Sequence, residues 1–231
     1  MMMTGTADTD LYAAFLHELN QPVTTLRNVL ELTTYRETND WPAVVEAAMA
    51  NVDRMVELLD LMGELTRAER TPAAPEPVDI AEVLREAVND LGAPAKDEER
   101  LLVGEGIDTA RLVSAVPESL RSAIFRLLTD AIHQTQAGGA VKVALQSGPE
   151  AVVAEIAYPM AAFAENEGQA LLALAQTGRG PRGSITRRVF RLALSLRVLV
   201  LQGARLELCP APASRLRLIY RQNSQISSQA K

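Results

Sequence analysis

The stretch Phe15-Leu16-His17-Glu18-Leu19-Asn20-Gln21-Pro22 decides how this chain of 231 residues is read. Working outward from it, apolar residues recur at Phe15, Leu19, Pro22, Leu26 and Val29, with Thr33 a weaker member. Alternating steps of four and three are the seam of a helix packed along its length. His17 falls two residues after Phe15, roughly 200° around such a helix, so the pattern leaves its imidazole in water. Glu18 adjoins it. An exposed imidazole beside a carboxylate is a nucleophile with an acid–base partner near neutral pH. Each residue taken alone reads as an ordinary solvated side chain; their company with Gln21 and Pro22 gives them chemical interest.

The helix is expected over Thr9–Glu37, with Thr9 and Asp10 as caps and a bend at Pro22, whose ring excludes the carbonyl four residues back. Thr38-Asn39-Asp40 reads as a turn. A second helix is expected over Pro42–Glu69, its seam being Val45, Ala48, Val52, Met55, Leu59 and Met62, widened by Leu58 and Leu65. Two long helices joined by a short turn form an antiparallel hairpin whose seam stays half wet. A second copy closes it into a four-helix bundle, so a homodimer through residues 9–69 is expected. The alternative is a hairpin that packs on the rest of its own chain.

Thr71-Pro72-Ala73-Ala74-Pro75-Glu76-Pro77 reads as a proline-rich linker. It separates a helical unit, 1–70, from a mixed unit, 78–222, and a polar tail, 223–231, is expected to be disordered. In the mixed unit, helices are expected over Ile80–Leu91 (opened by Asp79), Pro117–Gln134 and Ile185–Leu201. Strands are expected over Arg100–Val103, Val141–Gln146, Val152–Ala157, Arg205–Leu208 and Leu216–Tyr220. The fold class is therefore α + α/β: a helical hairpin in a dimeric four-helix bundle, then an α/β sandwich.

Composition narrows the function classes. Hydrophobic residues make up 48% of the chain and aromatics 4%, so an aliphatic core is expected and global disorder is not. Net charge is −6, which argues against nucleic acid as partner. No window is apolar enough to cross a membrane, no signal peptide opens the chain, and Cys209 is the single cysteine, so a cytoplasmic location is expected. Between residues 179 and 221 lie ten arginines, no lysine and one acid, Glu207. Such a segment is either a partner surface or a set of ion pairs with the acidic remainder of the chain, the second being commoner. No metal-ligand spacing is present; Asp130 with Glu118 is too sparse, His133 complements the end of its helix, and Cys209 reads as a small strand residue.

Over residues 11–221 the chain resembles bacterial two-component sensor histidine kinases. His17-Glu18-Leu19-Asn20-Gln21-Pro22 is similar to the family's H-box, whose histidine is phosphorylated and donates to a response-regulator aspartate. Val78-Asp79-Ile80 to Leu91 resembles the first helix of the family's ATP-binding domain. Leu127-Leu128-Thr129-Asp130-Ala131-Ile132 before Gly138-Gly139-Ala140-Val141 resembles the N-box and its following turn. The nucleotide motifs depart from the family's pattern. Asp130 stands where the family has a magnesium-binding Asn, and Arg126 one turn earlier. Ala157-Tyr158-Pro159-Met160-Ala161 stands where the family has Asp-x-Gly-x-Gly. Val189-Phe190-Arg191-Leu192-Ala193-Leu194 stands at the second glycine box, where large side chains fill phosphate space. Thr177-Gly178-Arg179-Gly180-Pro181-Arg182-Gly183 lacks the Lys-Ser/Thr of a phosphate loop and reads as a flexible lid remnant.

The resemblance thus implies a degenerate kinase that has lost ATP and relays phosphate through His17, like histidine phosphotransferases built on a kinase-like bundle. In that reading a receiver domain is the partner and supplies the magnesium, so the chain has no cofactor or metal of its own. His17 is the nucleophile, Glu18 orients it or takes its proton, and Gln21 positions water. Asn20, Thr24, Thr25 and Asn28 line the docking face. The competing readings are a binding module in which His17 is a relic, and an active kinase with divergent nucleotide boxes.

Overall fold

The computed structural model describes residues 8–35, 41–70, 73–158, 163–181, 185–209 and 214–221. The first helix, α1, runs Leu11–Tyr35 and the second, α2, Trp41–Arg70. Asp10 caps α1 by accepting the Ala13 amide at 2.7 Å. Thr9 belongs to a short strand, β1 (Asp8–Asp10), rather than to the helix. Pro22 lies within α1, on its buried side. The expected turn at 38–40 and the tail at 223–231 fall outside the described residues.

The inward seam of α2 differs from the expected one. Ala48, Met55 and Met62 face inward as read, but Val45, Val52 and Leu59 are exposed; Asn51, Leu58 and Leu65 take the alternate inward places. Val45, Val52 and Leu59 are the half of the expected seam that a single chain leaves wet, and Asn51 is a polar residue on the inward row. Its side-chain amide donates to the Ala47 carbonyl at 2.7 Å.

Strand β2 (Glu76–Asp79) begins inside the stretch read as linker and pairs antiparallel with β4 (Leu112–Ala115), a strand the sequence did not announce. Between them lie α3 (Ile80–Asp97) and β3 (Leu101–Glu105). Asp79 caps α3 through the Ala81 amide and also accepts the Arg111 amide at 2.7 Å, tying the loop before β4 to the helix start. The helix runs six residues past its expected end, through Pro94. Then come α4 (Pro117–Gln134), β5 (Ala140–Ser147), β6 (Ala151–Ala157), α5 (Glu165–Thr177), β7 (Arg179–Pro181), α6 (Arg187–Leu201), β8 (Arg205–Cys209) and β9 (Arg215–Arg221).

The main sheet has the order β3-β5-β6-β9-β8, with β3 parallel to β5 and the other pairs antiparallel. Register places Val143, Ile156 and Leu216 side by side, and Leu145, Ala154 and Leu218 in the next row. All six are buried, so one face of the sheet is a continuous aliphatic floor. Helix α3 packs on β3, α4 packs on β5 and β6, and α6 packs beside α4; Leu120, Ile124, Leu127, Leu128 and Ala131 of α4 are inaccessible to solvent.

The same core continues into the hairpin. Leu11 and Ala14 of α1 and Leu58, Leu61, Met62 and Leu65 of α2 join the cluster that includes α4 and α6. Burying one such side chain is worth about 2 kcal/mol. The two units are therefore packed together at the near end of the hairpin, where α1 begins and α2 ends. Among the described residues, no helix is long and apolar enough to cross a membrane.

Candidate functional site

His17 lies on α1 with 74% of its side chain exposed, whereas the Glu18 side chain is 6% exposed. Both face the place where α6 meets the hairpin. The reading of Glu18 as a solvated carboxylate is thus corrected: it lies on the buried row of α1 between Ala14 and Pro22. A charge so placed needs a partner. Arg187, the first residue of α6, supplies one. Its Nε donates to Glu18 Oε2 at 3.3 Å, and its Nη2 donates to Gln21 Oε1 at 2.6 Å. The other carboxylate oxygen, Oε1, stands 3.7 Å from His17 Nδ1. Imidazole, carboxylate, guanidinium and amide therefore form a chain across two elements.

Gln21, Asn20, Thr24, Thr25 and Asn28 are all exposed, as a docking face requires. The Thr25 hydroxyl donates to the Gln21 carbonyl at 3.0 Å, so it is partly engaged within its own helix.

One residue further along α6, Arg188 turns the other way. It makes a two-pronged pair with Asp130 of α4, at 2.8 Å on each carboxylate oxygen. Its guanidinium also lies over the Phe163 ring at 4.2 Å and near the Tyr158 ring at 5.8 Å. Burial, with the Asp130 charge second, pushes the Tyr158 hydroxyl well above the ordinary tyrosine range. A cavity of about 550 Å³ opens beside this pair between α2, α4 and α6. Arg126, Thr129, His133, Arg191 and Leu192 line it, so His133 at the end of α4 borders a cavity.

Further pairs bridge the hairpin to the second unit. Arg126 holds Glu64 through two bonds of 2.9 and 3.0 Å, and Arg191 pairs with Glu57. Strand β1 pairs with β7, and the Leu11 amide donates to the Gly178 carbonyl. The glycine stretch read as a lid remnant is ordered over 177–181. Gly178 ends α5 at a φ of 73°, and a side chain on Gly180 would sit 2.8 Å from Leu174. The arginine-rich segment mostly pairs within the chain: besides those named, Arg215 and Arg217 flank Glu155, and Arg197 donates to the Gln176 carbonyl. Cys209 is half-buried in β8.

Sequence reading missed Arg187. The signal was present: Arg187 and Arg188 open a helix whose positive dipole end disfavours cations, a local conflict that marks residues placed for outside partners.

The outer face of the hairpin carries a second apolar row. Val45, Met49, Val52, Val56 and Leu59 of α2 recur in steps of four and three, all exposed. Leu16, Val23 and Leu30 continue the row on α1.

No family model matches the sequence, and no curated protein matches it. Solved structures do share the fold. The Acinetobacter baumannii histidine kinase AdeS superposes with a TM-score of 0.70 at 15% identity, over 90% of this chain and 98% of that one. The histidine kinase ThkA, solved in complex with the response regulator TrrA, gives 0.70 at 11% identity over 93% of this chain and 62% of its own. A mycobacterial sensor histidine kinase, MprB, gives 0.51 at 20% identity over 64% of this chain. The chain has the histidine-kinase fold, a helical hairpin followed by an ATPase-like α/β domain.

Proposed function

We propose, from a fold shared with sensor histidine kinases, that this chain is a two-component signalling protein. It carries phosphate on His17, exchanges it with a response-regulator aspartate, and does not use ATP. One contrast carries the reading: the imidazole is open to solvent with a carboxylate behind it, while the carboxylate at the N-box position is taken by an arginine.

A magnesium–triphosphate would need Asp130 or its equivalent free to face the metal, and backbone amides free of side chains at the start of α6. Arg188 already neutralises Asp130, and the first turns of α6 carry Arg187, Arg188 and Phe190 and no glycine. These residues do not fit the nucleotide.

In the transfer, the Nε2 lone pair of His17 attacks the phosphorus of an aspartyl phosphate. The phosphorus–oxygen bond breaks and the aspartate leaves as a carboxylate. The Nδ1 proton stays in place, facing Glu18, which offsets the positive charge gained by the ring. Positioning and charge neutralisation carry most of such a reaction, and the receiver brings its own magnesium. Gln21, one turn along α1 from His17, orients water in a separate reaction, hydrolysis of the aspartyl phosphate to carboxylate and inorganic phosphate. Asn20, Thr24, Thr25 and Asn28 are the docking face. ThkA, with the same fold, has been solved with a response regulator bound, which supports a receiver as the partner.

We further propose a homodimer. Its support is the exposed row on both helices of the hairpin, an apolar face that a second copy covers by an isologous contact. Val52→Glu with Val56→Glu is expected to halve the mass measured by light scattering without unfolding the chain. An unchanged mass contradicts the dimer.

The transfer is tested with receiver domains labelled beforehand on aspartate. Label is expected on the native chain and not on His17→Ala. Equal labelling of both removes His17 from the reaction.

A further inference from the structure

We propose that Arg187, which reaches His17's neighbours from the second unit, is a positioning residue for phosphotransfer. The proposal rests on the phosphotransfer reading above and deepens it by giving the ATPase-like domain a part in the reaction.

Among the described residues, the ion pairs of Glu18 are with His17 and Arg187. Arg187 binds one carboxylate oxygen and the Gln21 amide oxygen with two different nitrogens. That fork anchors one carboxylate oxygen and leaves the other, Oε1, 3.7 Å from Nδ1, a distance for charge attraction rather than a hydrogen bond. The Glu18 charge at that distance favours the proton on Nδ1 and so leaves Nε2 as the lone-pair nitrogen, the one that must attack. Without Arg187, the Glu18 carboxylate is buried with no strong cation and free to rotate, so the imidazole tautomer is no longer set. The same fork holds Gln21, so both residues beside His17 are aimed by one side chain.

A purely mechanical role is the competing explanation, since Arg187 also joins the two units. The structure separates the two roles. Arg191 with Glu57, Arg126 with Glu64 and the β1–β7 pairing hold the same two units together. Loss of Arg187 leaves those contacts intact, whereas none of them touches Glu18.

The experiment uses the full chain as native protein, Arg187→Ala, Arg187→Lys and Arg191→Ala. Transfer from a labelled receiver is measured against receiver concentration, and the His17 imidazole nitrogens are observed by nitrogen-15 NMR. Arg187→Ala is expected to lower the maximal transfer rate about tenfold or more, with the half-saturating receiver concentration nearly unchanged. Its imidazole is expected to show mixed tautomers where the native ring shows the Nδ1-protonated form. Arg187→Lys recovers part of the rate because it restores the charge without the fork, and Arg191→Ala transfers like the native chain. A native maximal rate in Arg187→Ala overturns the proposal, as does an equal loss in Arg191→Ala or an unchanged tautomer. The NMR arm needs no receiver: a native chain that accepts no phosphate counts against the phosphotransfer reading, while the tautomer still decides the role of Arg187.

Discussion

Arg187 and Arg188 leave the same turn of α6 toward different parts of the molecule. The first reaches the hairpin, where it pairs with Glu18 and leaves His17 open to solvent. The second reaches α4, where it pairs with Asp130 under the Phe163 ring and occupies the carboxylate beside the cavity. One helix start therefore organises an accessible imidazole on one side and closes a carboxylate on the other. The two pairs also differ in burial. The Arg188 and Asp130 side chains are 21% and 15% exposed, so both members are enclosed, whereas Arg187 is 42% exposed over a Glu18 that is 6% exposed. The Asp130 pair is accordingly bound up with the stability of the second unit, and the Glu18 pair with orientation at the hairpin.

The difference is broken most sharply by substituting each arginine in turn. Arg188→Ala strands Asp130 inside the fold and is expected to cost about 3 kcal/mol in urea unfolding, the low end for removing one partner of a buried pair. Arg187→Ala is expected to cost less, about 2 kcal/mol, because it leaves the buried Glu18 without its cation while water reaches the space the guanidinium vacates. Equal losses in the two variants contradict the contrast.

A second effect belongs to the second unit alone. Burial raises the hydroxyls of both Tyr158 and Tyr220 above the tyrosine reference of 10.0. In the unfolded chain they ionise near that value while in the folded chain they stay protonated. Their contribution is thus full below pH 10 and is lost as pH rises toward the folded values. Each tyrosine is expected to remove about 1.4 kcal/mol of stability per pH unit above pH ~10. Tyr158→Phe should roughly halve that slope in unfolding measured between pH 10 and 11. An unaltered slope would mean that Tyr158 ionises freely in the folded chain.

Much of the fold is legible in the sequence because its elements carry strong periodicity. The helix over 117–134 and the strands around 141–146, 152–157 and 216–220 each bury one face, and the structure has them at nearly those limits. Short paired segments such as β1, β2, β4 and β7 escape, because three or four residues hold too little pattern. Helix α5 escapes because Gly168 interrupts it. The α2 seam is legible in part: Ala48, Met55 and Met62 face the chain's own core, while Val45, Val52 and Leu59 stay exposed in a single chain, on the row proposed to meet a second copy. At the site, His17 is legible from local spacing. The burial of Glu18 and its link to Arg187 are not, since that contact joins residues 169 positions apart.

In the proposed reaction phosphate reaches His17 from a receiver and not from nucleotide. The most direct measurement offers the same purified chain labelled ATP with magnesium and, in parallel, the labelled receiver, with His17→Ala beside each. Acid-labile label is expected from the receiver alone and is absent in the variant. Label on His17 from ATP would contradict this and make the chain a kinase despite Arg188 on Asp130.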